Sequence, residues 1–248
     1  MTRWLSFFIA GVVYSFFVPV LMAQVVTLGG TQALESVVVV GTKDPDVAPY
    51  KKAFAFIQKF EALAEKDKIY LRFFMQHRDK GIDPRSVRIV VEGSNTHIPV
   101  RVEPDGTIDM PVSQAAADDN ADVVTNQKLD TFNYYYGPAI KIPNELTFRY
   151  RELMDGMVQS TAAMKKLWSV FFPAFKGVTL RYAIARNQFL TIVSSSRGQL
   201  QVDIVNDRKA IPLEFDRVLY DENPMVSLSE KPMRILPYNV SDPSGKDY

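Results

Sequence analysis

Lys68-Ile69-Tyr70-Leu71-Arg72-Phe73-Phe74-Met75-Gln76 decides the fold class. Ile69, Leu71, Phe73 and Met75 recur at every second position, which is the side-chain period of an extended strand. Tyr70, Arg72, Phe74 and Gln76 take the opposite face. The same grain continues through Val87–Val91, His97–Val102, Thr107–Met110, Ala121–Thr125 and Leu129–Tyr135. Between these runs lie Asp79-Lys80-Gly81, Gly93-Ser94-Asn95, Pro104-Asp105-Gly106 and Asp118-Asp119-Asn120. Glycine supplies positive φ, proline presets φ, and Asn and Asp bond their own backbone, so each cluster reads as a turn. Short strands punctuated at intervals of about ten residues predict an antiparallel sheet structure. We read residues 68–142 as a β-sandwich domain, immunoglobulin-like or transthyretin-like.

Upstream the period changes. Ala53, Phe56, Ile57, Phe60, Leu63 and Ala64 step by three and four, with Lys51, Lys52, Lys59, Glu61 and Glu65 elsewhere. This is an amphipathic helix with Pro49 at its start. Thr42–Ala48 holds Asp44-Pro45-Asp46 and reads as a turn, and Val37–Val40 as a short strand ended by Gly41. Residues 24–67 are therefore a leader, a short strand and an amphipathic helix.

Downstream, residues 137–146 carry two prolines and a glycine and form a link. Tyr150, Leu153, Met154, Met157, Thr161, Met164, Trp168 and Phe171 step helically, and Pro173 stops the helix. Gly156 inside it costs about 1 kcal/mol against alanine. Val178–Ala185, Phe189–Ser194, Gln199–Val205 and Ala210–Phe215 are separated by short polar turns and predict a four-stranded antiparallel meander, covered by the helix. Residues 143–238 form this helix-plus-sheet domain. Within it, 221–237 holds Pro224, Pro232 and Pro237 and should run extended along the surface. Residues 239–248 read as a flexible polar tail. The class is α+β and β-rich, and the residues show no internal repeat.

The chain begins MTRWLSFFIAGVVYSFFVPVLMA: Arg3, nineteen uncharged residues from Trp4 to Met22, then Ala23. A basic start, an apolar run and a small residue before Gln24 is the secretory pattern, so 1–23 is a signal peptide or an uncleaved anchor. An anchor would use residues 4–22, long enough to span a bilayer. Arg3 favours the inside in both cases, which predicts a periplasmic body. Membrane contact is expected only through this segment if it is uncleaved.

Composition excludes several chemistries. There are 29 Lys and Arg against 28 Asp and Glu, a balance that argues against nucleic acid. With no cysteine and two histidines, thiolate metal sites, cysteine nucleophiles and three-histidine centres are impossible. Phosphate-cradling glycine motifs and G-x-S-x-G are missing. Ser194-Ser195-Ser196 lies in a turn, His77 and His97 at strand ends, and Asp118-Asp119-Asn120-Ala121-Asp122 lacks the spacing of a calcium loop. No catalytic residue, metal ligand or cofactor is assigned.

Two groupings are candidates for binding. Phe132, Tyr134, Tyr135 and Tyr136 concentrate amphipathic aromatics of the kind favoured at interfaces, and are assigned to partner binding. Met154, Met157 and Met164 form a pliable stripe that could line a ligand groove.

Val37–Pro49 (VVVVGTKDPDVAP), Ile98–Pro111 with its Pro104-Asp105-Gly106 turn, Glu222-Asn223-Pro224 and Leu228-Ser229-Glu230 resemble uncharacterised exported proteins of Gram-negative bacteria. The resemblance implies export and a β-rich periplasmic fold, and brings no activity. The expectation is an exported non-enzymatic protein that binds a partner protein or envelope component. The alternatives are a carrier or sensor of a small apolar ligand, and a carboxylate-dependent hydrolase of envelope polymers.

Overall fold

The computed structural model describes residues 44–77 and 83–238. The apolar leader, the Val37–Val40 run and the tail from Asn239 lie outside the described residues. The chain first runs through β1 (Pro45–Pro49), α1 (Tyr50–Glu61), β2 (Ile69–His77), β3 (Ile89–Glu92), β4 (His97–Val102), β5 (Thr107–Asp109), α2 (Gln114–Asp118), β6 (Asp122–Lys128) and β7 (Phe132–Ile140). It continues with β8 (Thr147–Arg149), α3 (Tyr150–Leu167), β9 (Gly177–Arg181), β10 (Phe189–Ser194), β11 (Gly198–Asp203), β12 (Ala210–Glu214), α4 (Arg217–Glu222), β13 (Met225–Leu228) and β14 (Arg234–Tyr238). Every strand pairing among the described residues is antiparallel; α3 begins at Tyr150 as expected, and α1 begins at Tyr50, with Pro49 as its N-cap rather than inside its first turn.

The element order repeats. Strand, helix, four strands, short helix and two strands occur twice, first over 45–140 and again over 147–238. The pairings repeat too. β1 joins β6 as β8 joins β13, and β3 joins β4 and β6 as β10 joins β11 and β13. β2 joins β5 and β7 as β9 joins β12 and β14.

Individual atoms follow the same rule. Tyr50 and Tyr150 each open the long helix, and both are fully buried. The Tyr50 hydroxyl donates to the Pro111 carbonyl at 2.7 Å and accepts the Ser113 N–H at 2.9 Å. The Tyr150 hydroxyl donates to the Glu214 carbonyl at 3.0 Å and accepts the Asp216 N–H at 3.0 Å. Ser113 and Asp216 are the N-caps of α2 and α4. Past those helices, Asn120 and Asn223 sit at φ 51° and 53°, left-handed conformations that asparagine tolerates. The backbone amides of Tyr50 and Tyr150 then donate to Ala121 and Pro224, both at 3.0 Å. The chain is thus a tandem duplication of one module, which corrects the expectation of no internal repeat.

Within the first module the seven strands form one ladder, β1-β6-β3-β4-β5-β2-β7. In the second, no ladder joins β11 to β12: the bridge Val205–Ala210 forms two residues past the end of β11. The second module's strands therefore split into β8-β13-β10-β11 and β14-β9-β12, and the latter joins the first module to give a ten-stranded sheet beside a four-stranded one. A four-stranded antiparallel sheet exists, but it is not the expected meander. Of the four consecutive strands only β10 and β11 belong to it, because β9 and β12 pair with each other in the large sheet. The 221–237 stretch is also corrected: it holds the end of α4, β13 and most of β14, with Val226 and Ile235 fully buried, rather than running along the surface.

Two cores form, and the second also takes Phe60, Ile69 and Ile140 from the first module. Tyr50, Phe54, Met75, Val91, Val100 and Phe132 lie in the first; Tyr150, Met154, Leu180, Ile192, Ile211 and Val226 lie in the second. The modules join where β7 meets β14 at Ile140 and Ile235. Ladder register aligns Ile69, Ile140, Ile235, Leu180 and Ile211 in one buried row across five strands. Helix α3 packs on this row, and a Cβ at Gly156 would stand 2.6 Å from Ile140 Cγ2. Gly156 is therefore what lets the helix approach.

The module also repeats a carboxylate clamp. Asp119 accepts the Asn95 N–H at 2.8 Å across the β3–β4 turn. At the matching place Glu222 accepts Ser194 Oγ at 2.6 Å, Ser196 Oγ at 2.9 Å and the backbone amides of Ser195 and Ser196 across the β10–β11 turn. The Ser194 hydroxyl leads the groups that hold the Glu222 carboxyl down at about 2, against an ordinary 4.5.

Two outcomes follow from this packing. Gly156→Ala lowers unfolding free energy by about 1–3 kcal/mol in a denaturant titration, because the overpacking outweighs the gain in helix propensity. The ionised Glu222 contributes stability that is complete above about pH 4.5 and is lost as pH falls toward 2. Glu222→Gln should therefore flatten the acid limb of the stability profile over that interval.

Candidate functional site

The four aromatics at 132–136 do not share one environment. Alternation along β7 places Tyr134 and Tyr136 on one face, opposite Met75 and Phe73 of β2. Phe132 is buried in the first core. Tyr135 faces the other way and stacks on Phe74 at 5.1 Å. Over Phe74 lies the Arg72 guanidinium, 4.2 Å from the ring centre, and Arg72 and Arg234 approach Asp105 at 3.6 and 2.5 Å. Burial pushes the Asp105 carboxyl up, but the Thr107 amide, Arg234, the Thr107 hydroxyl and Arg72 outweigh it and hold it below the usual range. Of the residues assigned to partner binding, Phe132 is therefore packed in a core and Tyr135 against Phe74.

Tyr134 is held as well. Its hydroxyl meets the side chains of Thr125 and Asp46, and burial followed by the Asp46 charge pushes its pKa up. Among the described residues, Tyr136 meets three other rings. Phe56 of α1 meets it edge-on at 4.3 Å, Trp168 stacks on it at 5.4 Å with planes 20° apart, and Phe73 lies at 5.8 Å. This seam ties α1 and the sheet of the first module to the end of α3 in the second.

Met154 and Met157 are core side chains in the second module, matching Phe54 and Ile57 in α1, and so do not line a groove. Met164, one turn before Trp168, is half-buried.

Sequence periodicity assigns Trp168 and Phe171 to the buried stripe of a helix ending at Phe172. The helix instead ends at Leu167, and the chain turns out of it. Trp168 caps it with its N–H on the Met164 carbonyl at 2.9 Å, and the Phe172 amide donates to Ser169 at 2.9 Å. Phe172 and Phe175 pack edge-to-face at 5.4 Å. The amides of Phe175 and Lys176 reach Thr161 Oγ1 and the Tyr238 carbonyl. This fixed loop leaves Trp168, Val170 and Phe171 at 55, 74 and 90 % of full exposure. The legible signal is the run Trp168–Phe172 itself, which is apolar on too many sides for the last turn of an amphipathic helix.

The two modules differ at this surface. In the first module the long helix passes to its strand through Ala62–Lys68 (ALAEKDK), seven mostly polar residues. In the second module α3 is longer and the link is Trp168–Lys176 (WSVFFPAFK). Likewise Phe73 pairs with Ile108 and Tyr136 as Leu180 pairs with Ile211 and Ile235. Tyr136 therefore stands where the second module has the buried Ile235, and it is 38 % exposed.

A separate open cleft of about 650 Å³ lies between α1 and β2, with Ile57, Phe60, Leu71, Phe73, Ile108 and Met110 among its lining. The Glu61–Lys66 ion pair, 2.6 Å, stands at its rim. His97 pairs with Glu92 at the surface, and Asp119 is engaged in the turn clamp. Among the described residues, no helix is long and apolar enough to cross a membrane, and no group of three or more His, Asp or Glu could hold a metal ion.

A double-mutant cycle on Tyr136→Leu and Trp168→Ala should give a coupling of about 0.5–1.5 kcal/mol in unfolding free energy. Additive losses would show that the stacked rings do not brace the loop.

Compared with known proteins, the chain matches no family model, no curated protein and no solved structure.

Proposed function

We propose that the chain is an exported, non-enzymatic periplasmic protein whose two modules present the Trp168–Phe172 loop to a partner protein or envelope component. Each module, with its strands gathered around one core, is read as a sandwich-like interaction unit. The observation that carries the reading is Phe171, 90 % exposed on a loop whose backbone is pinned at both ends. An apolar ring fixed in water costs solvation free energy, which is recovered when a partner covers it. The secretory pattern of residues 1–23, the balanced charge and the lack of a nucleophile motif support the rest of the reading.

A second reading, uptake of a small apolar molecule, is favoured by the open cleft against α1 and its apolar lining.

Native mass spectrometry of the protein purified gently from its own envelope separates these readings. A second polypeptide or lipid mass carried by the wild type and lost in Phe171→Ser is the expected result. A bare chain in both overturns it. A small mass retained by Phe171→Ser and lost in Ile57→Arg assigns binding to the cleft instead.

A further inference from the structure

We infer that the loop from Lys165 to Lys176 docks on the surface of an anionic phospholipid bilayer. The inference rests on reading this loop as a binding surface, and it names the partner.

Charge is the first ground. From Gly156 to Val202 the chain contains no Asp or Glu, although the whole sequence is balanced. Lys165 and Lys166 precede the apolar tip and Lys176 follows it. All three are exposed, and none forms an ion pair with a described residue. The C-terminal dipole of α3 suits Lys165 and Lys166, but Lys176 lies beyond the helix and has no such reason.

Residue type is the second ground. Trp168, Val170 and Phe171 are exposed apolar side chains on one loop, outside the lining of the open cleft. Lysine is depleted at protein–protein interfaces, whereas a basic ring gains about 1 kcal/mol per residue near anionic headgroups. Tryptophan settles at the headgroup level and phenylalanine below it. Exposed apolar side chains on a loop need no complementary pocket in a fluid bilayer, so the combination favours lipid over protein.

The first module is the internal control. Its equivalent link, ALAEKDK, is mixed in charge and lacks aromatics, yet the same elements fold around it. The longer helix and the aromatic tip are what the second module carries beyond the first.

The test uses Trp168 as its own reporter. The chain has two tryptophans, Trp4 and Trp168, so the full chain carrying Trp4→Phe leaves a single indole. This protein is mixed with vesicles of phosphatidylglycerol and phosphatidylethanolamine bearing brominated acyl chains, and with brominated phosphatidylcholine vesicles. Because the signal comes from Trp168, it reports on the loop whatever residues 1–23 do. The expected result is strong quenching in the anionic vesicles, weak quenching in phosphatidylcholine, and reversal by salt. Lys165→Gln, Lys166→Gln and Lys176→Gln together should weaken anionic binding on the order of a hundredfold, at about fivefold per charge. Phe171→Ser should reduce quenching without moving Tm. Unquenched Trp168, or equal quenching in both vesicle types, overturns the inference. If Trp168 is unquenched while a polypeptide is still retained by wild type and lost in Phe171→Ser, only the lipid assignment falls. If no polypeptide is retained either, the reading of the loop as a binding surface falls with it.

Discussion

The row Ile69, Ile140, Ile235, Leu180 and Ile211 is the contact on which the rest of the molecule depends. These side chains come from both modules and are buried to within 1 % of completely. Burying each is worth about 1.5–3 kcal/mol. The row also sets register: a slip of one residue in any of these strands would turn its apolar side chain to the opposite face. Gly156 then sets how closely α3 can lie on the row, and the helix fixes the place from which the Trp168 loop leaves. The candidate site therefore inherits its position from a contact between modules.

Duplication explains why so much of the chain is ordinary. Tyr50 and Tyr150 close equivalent corners with the same pair of hydrogen bonds. Asp119 and Glu222 clamp equivalent hairpin turns. Carboxylates that accept several hydrogen bonds at low pKa in a surface turn invite comparison with active sites, but their recurrence at matching places in both modules identifies them as scaffold. The two copies differ in Tyr136, which stands in place of a buried isoleucine, and in an aromatic, basic loop in place of a short polar one.

Electrostatics divides along similar lines. Arg72 and Arg234 meet around Asp105 in a partly buried network that braces the large sheet. Lys165, Lys166 and Lys176 stand in water around exposed rings. The first group is compensated inside the protein, and the second leaves its field outside.

The sequence by itself determined ten of the strands, β2 to β7 and β9 to β12, and the two amphipathic helices, because period, β-branching and turn chemistry are local properties; β1, β8, β13 and β14 are short or proline-bearing and show no such period. It also displayed the apolar leader and the absence of cysteine chemistry. Tertiary structure alone decided strand partnership. The four strands from Val178 to Phe215 look consecutive, yet they divide between two sheets, since hydrogen bonding to β13 and β14 depends on residues far along the chain. The repeat was hidden for a related reason: the modules share positions such as Ile108 with Ile211 and Asn120 with Asn223, but shared hydrogen bonds do not require shared side chains. Phe171 was misassigned because helical spacing continues past the point where the backbone leaves the helix. Only the packing of Phe172 and Phe175, and the anchoring of Lys176 to the Tyr238 carbonyl, turn that ring outward.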